Sequence, residues 1–556
     1  MKKRHVGIIV DSILSSKQIH DYIEMSRNSN NYEVTHLILQ NIPKLTDTLF
    51  QKSMHYIQKR GVKKFLAKVA FKVLCKIELI LVKKFYNFNK SFDMYDLSKF
   101  GLQIIKVEPN ISKSGFVYHY KAKDIAIIKS LELNLLIRGE SGGILRGEIL
   151  TACKNGVISF HHADNDVYRG GPPGFWETKN KERRTGFIIQ RLKNELDGGD
   201  VLYKGYVPTI WLYTLNLTIL YEVSYPFLHH VVDNITSNSP TLLVKEKKPY
   251  SFPLYTTPSV TEQISYVFAT LVILFKKSFL KVVGRTFRWG VAYQFVEDWK
   301  DVTLRRLKRI PNPPNRFLAD PFVIKRNNSH FCFVEDYDYK KARGCISVYE
   351  ITKDNCREVG IALEEIFHLS YPYLFEYDGN LYMCPETRVA KEIRLYKCIN
   401  FPLKWKYEKT LIADVSAVDT IIFFRDNRWW LMSNISTSHI GSHDSELHIF
   451  SSDNPLSDNW TPHALNPVLF DPLIARNGGF ISDKGEQYRV FQKQGFNLYG
   501  ESLGVSRIVK LTNNDYEEVC EFEVVPNFFK SIKGTHTYSF SDGLLALDFV
   551  KISTRR

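Results

Sequence analysis

Apolar runs of strand length alternate with amphipathic stretches through the first 245 residues. VGIIV (Val6 to Val10) and VTHLIL are strand-like. KDIAIIKSLELNLLIRG leads into a buried strand that ends at Arg138 and Gly139, and NGVISFHH follows as another strand. Near-continuous apolar runs, without a strict period of two, are what strands covered on both faces require. The pattern predicts an α/β, Rossmann-like domain with a mostly parallel sheet and crossover helices.

The pattern changes near Val291. Strand, polar turn, strand recurs about every 50–60 residues. The units are LADPFVIKRNNSHFCFVED, LSYPYLFEYDGNLYMCPE, AVDTIIFFRDNRWWLMSN, ARNGGFISDKGEQYRVFQ and THTYSFSDGLLALDFV. Five hairpins at this spacing predict an all-β five-bladed propeller, with an irregular β-sandwich as the alternative. In a propeller the first strand of each blade lines the channel. Alignment of the hairpins puts Asp320, Tyr371, Asp419 and Arg476 or Asn477 at like positions. The ends of the second strands add Glu335, Asp336, Glu386 and Gln492. Carboxylates converging on one cavity suit sugar hydroxyls or glycosidic acid–base chemistry. The expected organisation is an α/β domain over 1–245 with a basic helical insertion near 52–90, an amphipathic helical linker over 246–294, and the propeller over 295–556.

Two segments are both basic and apolar. In the first, Arg60, Lys64, Lys68, Lys72 and Lys76 recur every four residues among apolar neighbours. This is either a solvated face of a core-packed helix or a surface for an anionic membrane. The second, ISYVFATLVILFKKSFLKVVGRTFRWG, has an apolar run that stops at Lys276, short for a membrane span. The whole chain has 75 Lys and Arg against 59 Asp and Glu, a formal charge of +16, which favours anionic partners. Its eight cysteines form no CxxC pair, so no metal cluster is expected and a reducing compartment fits. The basic start is cut by Asp11 and does not read as a signal peptide. A cytoplasmic protein, peripheral at the inner membrane face, is the expectation.

Chemistry concentrates between Ile158 and Gly205. His161 follows a strand, where open α/β sheets place their ligands. Asp197 sits in a Leu-Asp-Gly-Gly turn, and a His and an Asp from two such loops can share proton transfer. Both also suit structural roles, as a loop histidine and a turn former. Gly139, Gly142 and Gly143, ahead of an expected helix, admit close approach of a cofactor, or only pack. Arg169 and Gly170 offer an anion a guanidinium and a backbone amide, or orient the loop.

GVISFHHADNDVYRGGPPGFWE, then TGFIIQRL, then ELDGGDVL resembles the catalytic domain of the formyltransferase superfamily over roughly 130–205. That superfamily includes the methionyl-tRNA and sugar N-formyltransferases. The resemblance implies 10-formyltetrahydrofolate as cofactor, His161 as the catalytic histidine and Asp197 as its acidic partner. Ser159 stands where the family has Asn, a shorter donor for the oxyanion, and this puts formyl transfer itself in question. The second half resembles propellers of glycoside hydrolase family 43. FLADPFV, HLSYPYLFEYDGNLYMCPE, FPLKW and LNPV resemble more closely the propeller domain of glucosamine inositolphosphorylceramide transferase. The resemblance to the hydrolases implies Asp320 as a base and Glu386 as acid, with glycan binding or substrate presentation as the reading favoured over hydrolysis.

Together these readings imply a formyltransferase-like enzyme acting on a nucleotide- or lipid-linked amino sugar in surface polysaccharide or glycolipid synthesis. The rivals are a propeller-centred glycoside hydrolase or glycosyl-transfer component, and a non-catalytic glycan-binding protein. Nucleic acid is disfavoured, because the second half is rich in aromatics and carboxylates and lacks a positive channel.

Overall fold

The computed structural model describes residues 3–42, 48–86, 88–113, 115–140, 142–194, 199–237, 249–438 and 440–554. The chain forms two compact units, residues 1–271 and 272–556.

The first unit is built on one sheet. Its strands are β1 (Arg4–Val10), β2 (Tyr32–Gln40), β3 (Gln103–Val107), β4 (Leu135–Arg138), β5 (Val157–His161), β6 (Arg184–Arg191) and β7 (Asp200–Pro208), in spatial order β7-β6-β5-β4-β1-β2-β3. The five strands β3, β2, β1, β4 and β5 are parallel. β6 and β7 extend the β5 edge as antiparallel neighbours. Val6, Ile8, Ile9 and Val10 of the central strand are at most 1% exposed, as a strand covered on both faces requires.

The helices are α1 (Lys17–Asn28), α2 (Leu49–Arg60), α3 (Val62–Tyr86), α4 (Ala122–Ser130), α5 (Phe175–Asn180), α6 (Tyr213–Thr236) and α7 (Val260–Val282). α6 lies against α1, β2, β6 and β7. α4 contributes Ile125 and Ile128 to a core with Ile9, Ile38, Val107 and Leu136.

Three expectations change here. The basic insertion is two helices, because Gly61 takes φ +85° between α2 and α3, which places Arg60 on the first and Lys64 to Lys76 on the second. No α-helix follows Gly143; a short strand, Ile144–Arg146, and a 3-10 turn, Gly147–Thr151, stand there instead. The expected linker over 246–294 ends as a strand. Arg285–Phe295 pairs along its whole length with Leu544–Thr554, so the all-β region begins ahead of residue 295. α7, among the described residues, is long and apolar enough to cross a membrane by length and composition.

The second unit is all β. Its first sheet joins Arg285–Phe295 to the C-terminal strands, with Ile532–Gly534 and Tyr538–Ser541 on the far side of Leu544–Thr554. Four more antiparallel sheets follow in chain order, opening on Arg316–Arg326, Ser370–Tyr377, Ala417–Arg425 and Asn477–Asp483. Each of these opening strands contacts the opening strand of the next sheet. Tyr538–Ser541 of the first sheet contacts both Asn477–Asp483 and Arg316–Arg326.

The opening strands share one irregularity. Pairing slips between Ala319 and Phe322, between Ser370 and Tyr373, between Val418 and Ile421, and between Asn477 and Gly479. The bulged residues Asp320, Tyr371 and Asp419 take φ of +48°, +47° and +51°, left-handed backbone that non-glycine residues avoid. Strain repeated at one register position in three sheets is held by its surroundings. The tie is visible: Tyr371 N–H donates to Asp320 Oδ2 at 3.2 Å, and the Asn477 side-chain amide donates to the Asp419 carbonyl at 2.8 Å.

Candidate functional site

In the first unit the candidate residues lie at the carboxyl ends of β1, β4 and β5. Ser159 and His161 alternate with Phe160 and His162 along β5, so each pair shares a face. Ser159 is buried, and its hydroxyl donates to the neighbouring Phe160 carbonyl at 3.1 Å. His162 is stacked on Phe160, set edge-on to Tyr221, and 3.2 Å from the Ser224 hydroxyl. Burial pulls its pKa down to about 3, which keeps the ring neutral; the nearby His161 adds to this. Asp164 accepts from Lys204 and from the Tyr206 hydroxyl at 2.9 Å, which fixes the loop after β5. Asp197 lies outside the described residues.

The positions expected to receive a cofactor are engaged internally. Gly142 N–H donates to Asp11 Oδ2 at 2.7 Å. A Cβ at Gly143 would meet the Tyr118 ring at 2.5 Å, and one at Gly139 would meet the Ile9 carbonyl at 3.1 Å. Arg169 donates to the Asn165 carbonyl and lies over the Tyr250 ring at 4.4 Å. Gly170, at φ +104°, bridges to Tyr255 so closely that a Cβ would fall 2.1 Å from the Tyr255 carbonyl oxygen. These glycines allow backbone and ring to approach.

In the second unit Asp320, Glu335, Glu386, Asp419 and Arg476 line one cavity of about 290 Å³. The sheet register explains the convergence. Glu335 pairs with Ala319 and Glu386 with Ser370, each beside the bulge of its own sheet. Trp289, Phe317, Tyr337 and Tyr499 add aromatic walls. Phe317 stacks on Tyr337 at 4.9 Å, and Trp289 stacks on His536 at 4.0 Å.

The charges sort into pairs and a remainder. Arg476, mostly buried, donates to Asp419 Oδ2 at 2.7 Å and to Asp444 Oδ1 at 2.8 Å. His536 lies between Asp548, on its Nδ1 side, and Asp320, 3.4 Å from Nε2. Burial pulls the imidazole pKa down, but Asp548 and Asp320 outweigh it and hold the group above its ordinary value. Glu335 and Glu386 are left over. Glu335 has His368 Nε2 at 3.6 Å, and burial lowers that histidine's pKa, with Arg388 adding to the effect. Among the described residues Glu386 has no hydrogen-bond partner. Burial, and then the carboxylates around them, push Glu335 well up and Glu386 to about 8. Asp320 rises to about 6 for the same first reason, with His536 opposing.

Asp320, His536 and Asp548 each offer a ligand-type atom, all within 4.8 Å of one another, a spacing that a cation can bridge. The oxygens already accept hydrogen bonds, however. Asp548 Oδ1 takes the His536 and Thr537 amides, and Asp320 Oδ1 takes the Thr537 hydroxyl at 2.9 Å. The group therefore reads as a hydrogen-bonded Asp-His-Asp chain.

His536, Asp548, Trp289 and Tyr499 were not singled out in the sequence. The signal for the first two was present, since the fifth hairpin, THTYSFSDGLLALDFV, carries His536 where pairing lapses between Gly534 and Tyr538. Trp289 lies on the strand whose partner is at the other end of the chain.

Residues 302–551 match the family model described as glucosamine inositolphosphorylceramide transferase 1, N-terminal. The rice (Oryza sativa subsp. japonica) protein of that name is 38% identical over 212 residues, 37% of this chain and 28% of the relative. The Arabidopsis thaliana protein is 36% identical over 232 residues, 41% of this chain and 29% of its own length. The chain thus spans under a third of these curated relatives. A methionyl-tRNA formyltransferase from Listeria innocua is 33% identical over 79 residues, 14% of this chain and 25% of the relative. Among solved structures, a thermostable family-43 glycoside hydrolase aligns at 13% identity and TM-score 0.30, over 36% of this chain and 74% of that one. Glycinamide ribonucleotide transformylase 1 from Symbiobacterium toebii aligns at 12% identity and TM-score 0.27, over 42% and 89%. Residues 302–551 thus match one family model, and a shorter stretch of the chain is similar to methionyl-tRNA formyltransferase.

Proposed function

We propose that the chain is a transferase-type protein of glycan or glycolipid assembly whose second unit captures an amino sugar. In this reading the five sheets close into a five-bladed propeller, with the cavity at its mouth. The observation that carries it is the pair of unpartnered acids. Arg476 and His536 are ion-paired to Asp419, Asp444, Asp320 and Asp548, while among the described residues no Lys or Arg forms an ion pair with Glu335 or Glu386, and the more distant pull of Arg476 and Arg388 on Glu386 does not offset its burial. A sugar ammonium entering the cavity supplies the missing charge, and both acids then ionise against it. Trp289, Phe317, Tyr337 and Tyr499 offer faces for the apolar side of a sugar ring. Similarity to proteins named for a glucosamine-bearing lipid supports this substrate class.

The test is binding of glucosamine, glucose and N-acetylglucosamine to the full chain, followed by melting temperature. A ligand held by the native state alone raises it. Glucosamine raises it in this account, and the two uncharged sugars raise it far less. Equal shifts for all three sink the reading.

A second reading adds formyl transfer to the sugar amine at the β5 edge, with His161, Ser159 and Asp197 as the residues concerned and 10-formyltetrahydrofolate as donor. The short stretch of identity with methionyl-tRNA formyltransferase supports it. It carries a consequence for the cavity: N-formylation removes the ammonium, so a site selective for the cation releases the product. Formyl transfer from labelled donor to glucosamine that is unchanged in His161→Ala rules this reading out.

A further inference from the structure

α3 and α7 are apolar on more than their packed faces. α3 turns Ala67, Glu78 and Val82 inward, where the Glu78 carboxylate accepts Thr214 N–H at 2.8 Å and the Tyr266 hydroxyl. Val62, Leu66, Val69, Val73, Ile77 and Ile80 stand on the opposite side and are 44–66% exposed. Their spacing of four, three, four, four and three residues makes one continuous helical stripe. Seven lysines share this helix, all exposed, and its one acid, Glu78, is buried. Lys68, Lys72 and Lys76 run along one flank of the stripe.

α7 repeats the pattern. Gln263 donates to the Ala67 carbonyl at 2.8 Å and Tyr266 donates to Glu78, which fasten its first turns to α3. Ile264, Phe268 and Leu271 follow one another on another helical face and are 56–69% exposed.

We infer that the exposed apolar stripe of α3, flanked by its lysines and continued by that of α7, is a docking surface for an anionic lipid leaflet, on which the helices lie in the plane of the interface. Apolar side chains on one stripe with lysines beside it are what such a helix requires. The packed faces, with Gln263, Tyr266 and Glu78 hydrogen-bonded inside the unit, leave these helices lying on a membrane instead of crossing it. Charge selects this occupant over a second copy of the chain. Two such surfaces face to face would oppose seven lysines to seven with no exposed acid on the helix to pair them. The inference rests on the first unit, with α7 up to Leu271, and is independent of the reading of the sugar cavity.

The test is flotation of the full chain with phosphatidylcholine vesicles, with and without phosphatidylglycerol. The chain is expected to float with the anionic vesicles and to be released by salt. Neutralising Lys64, Lys68, Lys72 and Lys76 weakens binding by about fivefold per lysine, the equivalent of ~1 kcal/mol each near an anionic surface. Leu66→Glu with Ile77→Glu abolishes it while leaving circular dichroism and the melting temperature unchanged, because both positions are exposed. Phe268→Glu, a separate variant, weakens it through α7. Failure to float, or equal binding to uncharged vesicles, overturns the inference. So does a concentration-dependent dimer that Leu66→Glu with Ile77→Glu dissolves, which identifies a second copy as the occupant.

Discussion

The β5 edge of the first unit and the cavity of the second differ in how their polar groups are engaged. At the β5 edge, most of the residues that suggested a ligand are used by the fold. Asp11 takes the Gly142 amide, Tyr118 fills the space at Gly143, and Tyr250 covers Arg169. In the cavity, Asp320, Glu335, Glu386, Asp419 and Arg476 share one wall system, and among the described residues Glu335 and Glu386 form no ion pair with a Lys or Arg. The second reading had a redundancy that the first lacked. Five similar hairpins give the same register position five times, whereas a glycine or histidine in a single βα turn has no internal copy to check it against.

Substitutions can break this contrast. The largest effect is expected at Arg476. Arg476→Met leaves Asp419 and Asp444 without their buried cation and costs about 3–5 kcal/mol of stability, read from denaturant unfolding. A loss below about 1 kcal/mol, the scale of a surface pair, means that the carboxylates are solvated and the cavity is not the closed electrostatic system described. Asp548→Asn comes next. Its Oδ1 accepts the His536 and Thr537 amides, while Oδ2 accepts the Asp320 amide and faces His536 Nδ1; an amide side chain has one acceptor oxygen in place of two and gives up the second set, so about 1–3 kcal/mol is lost.

Glu386 sharpens the comparison through pH. Its folded-state pKa, about 8, lies above the ordinary 4.5 because burial, and after it Asp419, oppose ionisation. Between those values the folded chain keeps a proton that the unfolded chain has released, so this group costs stability progressively as pH rises from about 4.5 to about 8. Glu386→Gln removes the cost. The variant's melting temperature should gain on the parent's across that window and match it below. A gap that does not change with pH contradicts the buried, unpaired acid.

The smallest effect is expected at the β5 edge. Arg169→Ala loses one stacking contact and one hydrogen bond to a carbonyl, about 1 kcal/mol, with no change in donor use. If it abolishes folate-dependent transfer while the fold survives, the Arg169 and Gly170 loop is a ligand site and the contrast fails.

The parts of the fold set by local pattern were legible in the sequence. The buried run Val6 to Val10 is the central strand, and the hairpins fall where strand, turn and strand recur. Long-range pairing was not legible. Arg285–Phe295 reads as the tail of an amphipathic linker until its distant partner, Leu544–Thr554, is known. That pairing brings Trp289 to the cavity beside His536. Gly61 carried the break between α2 and α3 in plain sight, but the four-residue recurrence of cations ran across it. The site was legible where side chains follow strand alternation, as for Asp320 and Glu335, and not where a third sheet completes it. Asp444 and Asp548 matter only through Arg476 and His536.

The central claim is that Glu335 and Glu386 wait, protonated, for a sugar ammonium. It is tested most directly by counting protons released when glucosamine binds, by calorimetry near pH 7 in two buffers of different ionisation heat. The account predicts proton release on binding, affinity that rises as pH approaches 8, and loss of the release in the Glu335→Gln, Glu386→Gln double variant. Glucosamine bound with no proton released, or N-acetylglucosamine bound equally well, would contradict it.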